Sequence, residues 1–105
     1  MKLGDLADVI RSKNSGIHYV TIDVMFAEQS TYEAVKASST LNVETIAARY
    51  HLAEEDVRLF EYDSGRAFKI TIPRSTPVGS PGDPDLYGAQ QHAPIFDLEL
   101  SIEPP

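Results

Sequence analysis

The sequence contains no cysteine, and it is poor in positive charge. Without cysteine among its 105 residues, the chain has no disulfide, no thiolate metal site and no cysteine nucleophile. Its 9 Lys and Arg face 16 Asp and Glu, for a formal net charge of −7. Nucleic acid and anionic membrane surfaces repel such a protein unless its cations are locally dense. The densest basic stretch, RSKN at 11–14, has only two cations, so we expect neither partner.

Long apolar runs are missing as well. No stretch approaches the roughly 20 apolar residues that span a bilayer. The opening residues MKLGDLADVI lack the apolar run of a signal peptide, and we therefore expect a cytoplasmic protein. The length is typical of one folding unit, which predicts a single domain over residues 1–105.

Hydrophobic periodicity predicts the elements of the first half. In LGDLADVIRSKN the apolar spacing predicts a helix over about residues 3–11. Alternation in IHYVTIDVMF predicts a largely buried strand. STYE, with Ser30 as the cap, is a capping box that opens a helix through about Lys36. Asn42 is a suitable cap for a second helix, NVETIAARY.

The second half of the sequence predicts strands on both sides of a long aperiodic segment. VRLFEYD and AFKITIPR predict two strands of a hairpin, joined by DSGR, and in the second strand Phe68, Ile70 and Ile72 are predicted to face one way. IFDLELSI alternates cleanly and predicts a last strand over 95–102. Apart from the first helix, this order matches a ferredoxin-like β-α-β-β-α-β unit. We therefore predict an α+β fold: a ferredoxin-like, four-stranded, mostly antiparallel sheet with helices on one face and the last helix replaced by a long loop.

That loop, residues 74–94, is the first candidate site. Loops beyond about 12–15 residues are uncommon in compact domains and are often functional, and prolines stiffen this one. It gathers an aromatic ring, two amides and an imidazole, on Tyr87, Gln90, Gln91 and His92. His92 is the candidate catalytic residue, as a general acid or base, and the other three are candidate substrate-binding residues. The alternative is a loop that covers the sheet, with His92 bonded to backbone carbonyls.

The RSKN stretch is the second candidate. At the end of the predicted first helix, Arg11 can hold a carboxylate through two hydrogen bonds, Lys13 adds a point charge and Asn14 an amide. We predict that these three bind the carboxylate of a substrate. The alternative is that the cations only stabilise the negative end of a helix.

Asp23 is an unusual residue for a largely buried strand. If its face of the sheet is covered, the carboxylate needs a cationic partner such as Arg74 or Lys69. No ligand spacing in the sequence calls for a metal, and we predict no cofactor.

Four blocks of the sequence, LGDLADVIRSKN, TIPR, GSPGDPD and YGAQQHAP, occur in this order over almost the whole chain. Together they resemble a family of small bacterial and fungal proteins known as a domain of unknown function, number four thousand three hundred eighty-seven. The family has no defined catalytic residues that could be carried over. Its members are often encoded beside, or fused to, larger proteins of the acyclic terpene utilisation type, in neighbourhoods that look like carboxylic-acid and acyl-CoA catabolism.

The resemblance implies a small subunit or accessory domain of a two-part enzyme, which helps to form a carboxylate-binding site. Its partner would be a larger acyclic terpene utilisation-type protein, and its substrate a small carboxylate or an acyl-CoA. Two alternatives stay open. The chain could be a free-standing lyase or hydratase with His92 as general base, acting alone or as a homo-oligomer, or it could be a non-catalytic interaction module.

Overall fold

A four-stranded antiparallel sheet organises the computed structural model, which describes residues 1–74 and 93–100. The strands are β1 (Val9–Asn14), β2 (Tyr19–Met25), β3 (Arg58–Tyr62) and β4 (Ala67–Pro73), in the spatial order β1-β2-β4-β3. The helices are α1 (Leu3–Leu6), α2 (Gln29–Ser38), α3 (Val43–Tyr50) and α4 (Ala93–Phe96). Short 3-10 turns occupy Glu54–Asp56 and Asp63–Gly65. The predicted α+β class is confirmed.

The connection from β2 through α2 and α3 to β3 leaves a gap in the sheet, and β4 fills it. This split arrangement, with β4 antiparallel to both neighbours, is the one found in ferredoxin-like sheets. The remaining edge position, next to β2, is occupied by β1. The fourth strand is therefore contributed by the segment that precedes the split unit.

One face of the sheet forms the floor of the core. On the two central strands, β2 and β4, its side chains are each at most 2 % exposed: Val20, Ile22, Val24, Phe68, Ile70 and Ile72. They belong to one buried cluster with apolar residues of the helices, including Tyr32, Val35 and Ile46. The rings of Phe26, Tyr32 and Phe68 meet with centroids 5.2 to 6.1 Å apart. The parity predicted for β4, with Phe68, Ile70 and Ile72 on one side, is confirmed.

The first predicted helix is wrong beyond Leu6. VIRSKN forms β1 instead, paired with β2 from Val9↔Met25 to Asn14↔Val20. Its apolar residues suit a helical period, but its side chains also alternate between two faces, and pairing satisfies the backbone of an entire strand. Asp8 fixes the turn between α1 and β1, since its carboxylate accepts a hydrogen bond from Ala27 N at 2.6 Å.

The last predicted strand, 95–102, and the end of the predicted loop also need correction. Ala93–Phe96 is a helix, followed by a single antiparallel bridge between Lys2 and Glu99. The alternation of Leu98 and Leu100 does reflect burial, but these residues pair with the start of the chain: Leu3 N donates to Leu98 O at 2.8 Å. The strand-like pattern reflects the burial of these two residues in the core.

The two predicted helix caps had different outcomes. Asn42 caps α3 as predicted, with its side chain accepting from Thr45 N at 2.8 Å. Ser30 lies inside α2, whose cap position is Glu28. Glu33 does not complete a capping box there, because it accepts a hydrogen bond from the Gln29 side chain at 2.8 Å.

Candidate functional site

The face of the sheet opposite the core is the candidate site, and we call it the open face. Directly opposed residues of antiparallel strands share a face, so the register defines its members. They are Val9, Arg11, Lys13, Tyr19, Thr21, Asp23, Met25, Arg58, Phe60, Tyr62, Ala67, Lys69, Thr71 and Pro73. Tyr19, Phe60 and Tyr62 are 51 %, 58 % and 51 % exposed, a large aromatic surface left to solvent by the described part of the chain.

The open face is positively charged, whereas the protein as a whole is negatively charged. Four of the nine Lys and Arg residues lie on it, Arg11, Lys13, Arg58 and Lys69. Asp23 is the one carboxylate that the four described strands place on it. The fold therefore builds a cationic surface on a chain of net charge −7, and such a surface attracts anions locally.

The centre of the open face is a row of three charged residues across β1, β2 and β4. Asp23 lies between Arg11 and Lys69 in register. Arg11 Nε is 3.5 Å from Asp23 Oδ2, and Lys69 Nζ is 3.6 Å from Asp23 Oδ1. The Asp23 side chain is 7 % exposed, against 64 % for Arg11 and 46 % for Lys69. The two cations thus cover the carboxylate and stay accessible themselves.

These contacts leave the cations with unused hydrogen-bonding capacity. Both distances exceed the roughly 2.7–2.9 Å of a tight charge-assisted hydrogen bond. A guanidinium has five N–H donors and an ammonium has three, and neither Arg11 nor Lys69 makes a second ion pair within residues 1–74 and 93–100. Each can therefore donate to a further anion while Asp23 holds it in place.

A depression that opens to solvent lies beside this row. Its charged edge is formed by Arg11, Asp23 and Lys69, and its other walls by Met25, Tyr62, Gly65 and Ala67. Lys69 Nζ lies 5.7 Å from the centroid of the Tyr62 ring, a cation–π distance. A Cβ at position 65 would collide with that ring, so Gly65 allows Tyr62 to take its place in the wall.

This arrangement is suited to an amphiphilic anion. Arg and Lys side chains bind carboxylates through directed hydrogen bonds and charge, and the Met25, Tyr62 and Ala67 wall can contact a carbon skeleton. Within the described residues, no group of three or more His, Asp or Glu side chains is placed to hold a metal ion. The chemistry that the open face offers is binding and orientation.

A second polar cluster joins α2 to the β3–β4 turn. Tyr32 donates its hydroxyl to Asp63 Oδ1 at 2.6 Å, and Lys36 Nζ lies 3.0 Å from the same oxygen and 3.2 Å from Glu61. Burial and the bond to Asp63 raise the pKa of Tyr32 to about 12. Hydrogen bonds to Asp63 and Glu61 raise the pKa of Lys36. Because both groups hold their protons tightly, neither Tyr32 nor Lys36 is a general base near neutral pH. Their hydrogen bonds to Asp63 tie α2 to the β3–β4 turn.

Comparison with known families identifies the family of the chain. The model of the domain of unknown function DUF4387 matches residues 3–99. The chain belongs to the DUF4387 family. No curated protein and no solved structure shows significant similarity to it. In the portion of this DUF4387 protein that the structure describes, no helix has the length and apolar character needed to cross a membrane.

The predicted cationic set of this DUF4387 protein divides between the two faces of the sheet. Arg11 and Lys13 both project from the open face, two residues apart on β1. Asn14 has the opposite parity, and its side-chain oxygen accepts a hydrogen bond from Arg74 Nη1. The predicted position of these residues at a helix end is wrong, since all three lie in a strand.

The other predicted site residues lie outside the residues that the structure describes. They are Tyr87, Gln90, Gln91 and His92. Their roles remain predictions.

The expectation that Asp23 needs a cationic partner such as Arg74 or Lys69 is met by Lys69. Lys69 pairs with it as predicted, whereas Arg74 bonds Asn14. Arg11 was not foreseen as a partner, because a helical reading of its segment separates it from the sheet. Arg58, Phe60 and Tyr62 were also missed, although the alternation in RLFEY places these three on one face. Strand parity was the available signal.

Proposed function

We propose that this DUF4387 protein is a small accessory subunit of a two-part enzyme, and that its open face binds the carboxylate of the substrate. The substrate class is the one expected for the family, a small carboxylic acid or an acyl-CoA with a free carboxylate. The observation that carries the proposal is the row of Arg11, Asp23 and Lys69 at the edge of an apolar-walled depression.

The charges of the row suit an anionic guest. Two cations flank one carboxylate, so the centre keeps a positive excess, and Lys13 adds to it from the neighbouring row. Asp23 restrains the flexible side chains of Arg11 and Lys69, which reduces the entropy that a ligand must overcome to order them. A carboxylate can then bridge the two cations, with its carbon skeleton against Met25 and Ala67.

The openness of this site among the described residues supports the accessory role. Enzyme pockets enclose most of a small substrate, whereas this depression opens to solvent at the sheet surface. Within residues 1–74 and 93–100 the open face supplies binding groups, and a second surface would exclude water and complete a reaction. We propose that the larger acyclic terpene utilisation-type protein supplies that surface.

A titration followed by NMR tests the binding step. The ¹⁵N-labelled chain is titrated with hexanoate, with hexanamide, which lacks the charge, and with acetate, which lacks the chain. We expect hexanoate to shift the amides of β1, β2 and β4, and hexanamide to leave them unchanged. Arg11→Ala and Lys69→Ala should each weaken hexanoate about tenfold, since each removes one charge-assisted contact. Arg49→Ala, on α3, is the matched control.

The results separate the alternatives. If hexanoate does not bind, or binds Arg11→Ala and wild type equally, the open face is not a carboxylate site. If the isolated chain converts an acid or thioester by itself, the accessory role fails and the free-standing enzyme gains support.

A further inference from the structure

The open face extends well beyond the depression, and its outer part has the composition of a protein interface. Phe60 and Tyr62 on β3 and Tyr19 on β2 are each about half exposed. Aromatic residues and arginine are enriched at interface cores and dominate binding energy there. Val9, also 43 % exposed, adds apolar area at the opposite edge. An aromatic and apolar surface on both sides of the charged row exceeds what a small ligand needs.

The charge of this outer surface favours some binding partners over others. Lys13 and Arg58 lie at the two ends of one row, with Thr21 and Thr71 between them. Neither cation makes an ion pair with any described residue. A second copy that presented the same face would oppose like charges, which disfavours a symmetric dimer here. An acidic surface would instead satisfy both ends of the row.

Nucleic acid fits this patch less well than an acidic protein does. A polyanion gains affinity by neutralising many phosphates in succession. This patch spans four short strands, and the remainder of the chain is strongly acidic. A strand of nucleic acid that left the patch would meet repulsion, whereas an acidic protein segment can end where the patch ends.

We propose that the open face is the docking surface for the larger partner, and that the partner contributes an acidic segment with apolar side chains. The acidic groups pair with Lys13 and Arg58, and the apolar groups pack on Phe60, Tyr62 and Tyr19. A partner seated in this way covers the depression and encloses Arg11 and Lys69. The inference rests on the proposed accessory role and identifies the face that serves it.

Site-specific photocrosslinking in cells that naturally make the protein tests this assignment. The photoreactive residue p-benzoylphenylalanine replaces Phe60 on the open face or, as a control, Ala48, which is exposed on α3. Linked proteins are isolated through the full-length chain, and the attached peptide is sequenced. We expect position 60 to give an adduct with an acidic segment of a larger protein, and position 48 to give none.

Charge reversal supplies the specificity test. Lys13→Glu combined with Arg58→Glu should lower the yield at position 60 about tenfold, because attraction becomes repulsion at both ends of the row. Arg49→Glu makes a comparable reversal on α3, at the loss of one 3.3 Å hydrogen bond to Asp97 O, and should leave the yield unchanged.

The outcomes distinguish this inference from the proposed function. An adduct from position 48 alone overturns docking at the open face and preserves the accessory role, whereas no adduct from either position overturns both. An adduct with a second copy of the chain, with RNA, or with a basic segment overturns the choice of partner. An equal yield from the double reversal and from Arg49→Glu overturns the role of charge.

Discussion

The two faces of the sheet are built from the same strands and have opposite properties. On β2, Val20, Ile22 and Val24 are fully buried, while Tyr19, Thr21 and Met25 on the opposite face retain exposure. On β4, Ile70 and Ile72 lie in the core, whereas Lys69 points to solvent. Because successive side chains of a strand point to opposite faces, neighbouring residues can have different roles. The covered face supplies stability, and the open face is free to carry charge and aromatic surface.

Asp23 is an exception to this difference between the covered face and the open face. It lies on the open face and yet is buried, because Arg11 and Lys69 cover it. An ion pair at this position restrains the binding groups without contributing to the apolar core. The comparison suggests that substitutions on the covered face change folding, and that those on the open face change binding with little effect on stability.

The largest effect is expected on the covered face. Ile22→Ala should lower the free energy of unfolding by about 2–5 kcal/mol, because it leaves a cavity under the helices. The neighbouring Thr21→Ala, on the open face, should cost less than about 1 kcal/mol. Urea denaturation of both variants measures the difference. Equal losses would show that the open face is also part of a packed interior.

An intermediate effect is expected where α2 is anchored to the β3–β4 turn. Tyr32→Phe keeps the buried ring and removes the 2.6 Å hydrogen bond to Asp63, which should cost about 1 kcal/mol at neutral pH. Thermal or urea denaturation checks this value. A variant as stable as wild type would mean that the hydroxyl does not anchor the covering helix.

The same cluster predicts how stability depends on pH. Hydrogen bonds from Tyr32 and Lys36 lower the pKa of Asp63 below 3.8, so its contribution is present above about pH 4 and is lost as the pH falls further. The raised pKa of Tyr32 gives stability that is complete below pH 10 and is lost as the pH rises to about 12. Denaturation across the pH range should therefore show a smaller acid loss for Asp63→Asn and a smaller alkaline loss for Tyr32→Phe.

The smallest effect on stability is expected at the exposed aromatic edge. Phe60→Ala should change the free energy of unfolding by only about 0.5 kcal/mol, because the ring is mostly in solvent. Recovery of the partner with the full-length chain should nevertheless fall, since Phe60 lies in the proposed interface. A large loss of stability would contradict the division between the two faces, because it would show that Phe60 supports the fold.

The differences between expectation and structure follow from local patterns that admit two readings. Val9 and Ile10 satisfy a helical period and also a strand, and only pairing with β2 decides for β1. Leu98 and Leu100 alternate like a strand, but they are buried by contact with the first residues of the chain. In contrast, β2 and β4 were predicted well, because their β-branched residues and strict alternation favour one structure.

The candidate site depended even more on long-range contacts. The sequence pointed to Arg11, Lys13 and Asp23 separately, and it named Lys69 as a partner for Asp23. Joining Arg11 to Asp23 requires the β1–β2 register, and adding Lys69 and Phe60 requires the insertion of β4 between β2 and β3. Net charge could not reveal the cationic face either, because it averages over surfaces that the fold separates.

The sequence by itself determined the α+β class, the hairpin, two helices and the parity of the central strands, because these depend on periodicity and on residues close together along the chain. Only the tertiary structure decided that VIRSKN is a strand, which residues share the open face, and that two of its four cations, Arg11 and Lys69, flank the Asp23 carboxylate there. Those features depend on pairing between distant segments, where the gain from burial and backbone hydrogen bonds over a whole sheet outweighs weak local preferences.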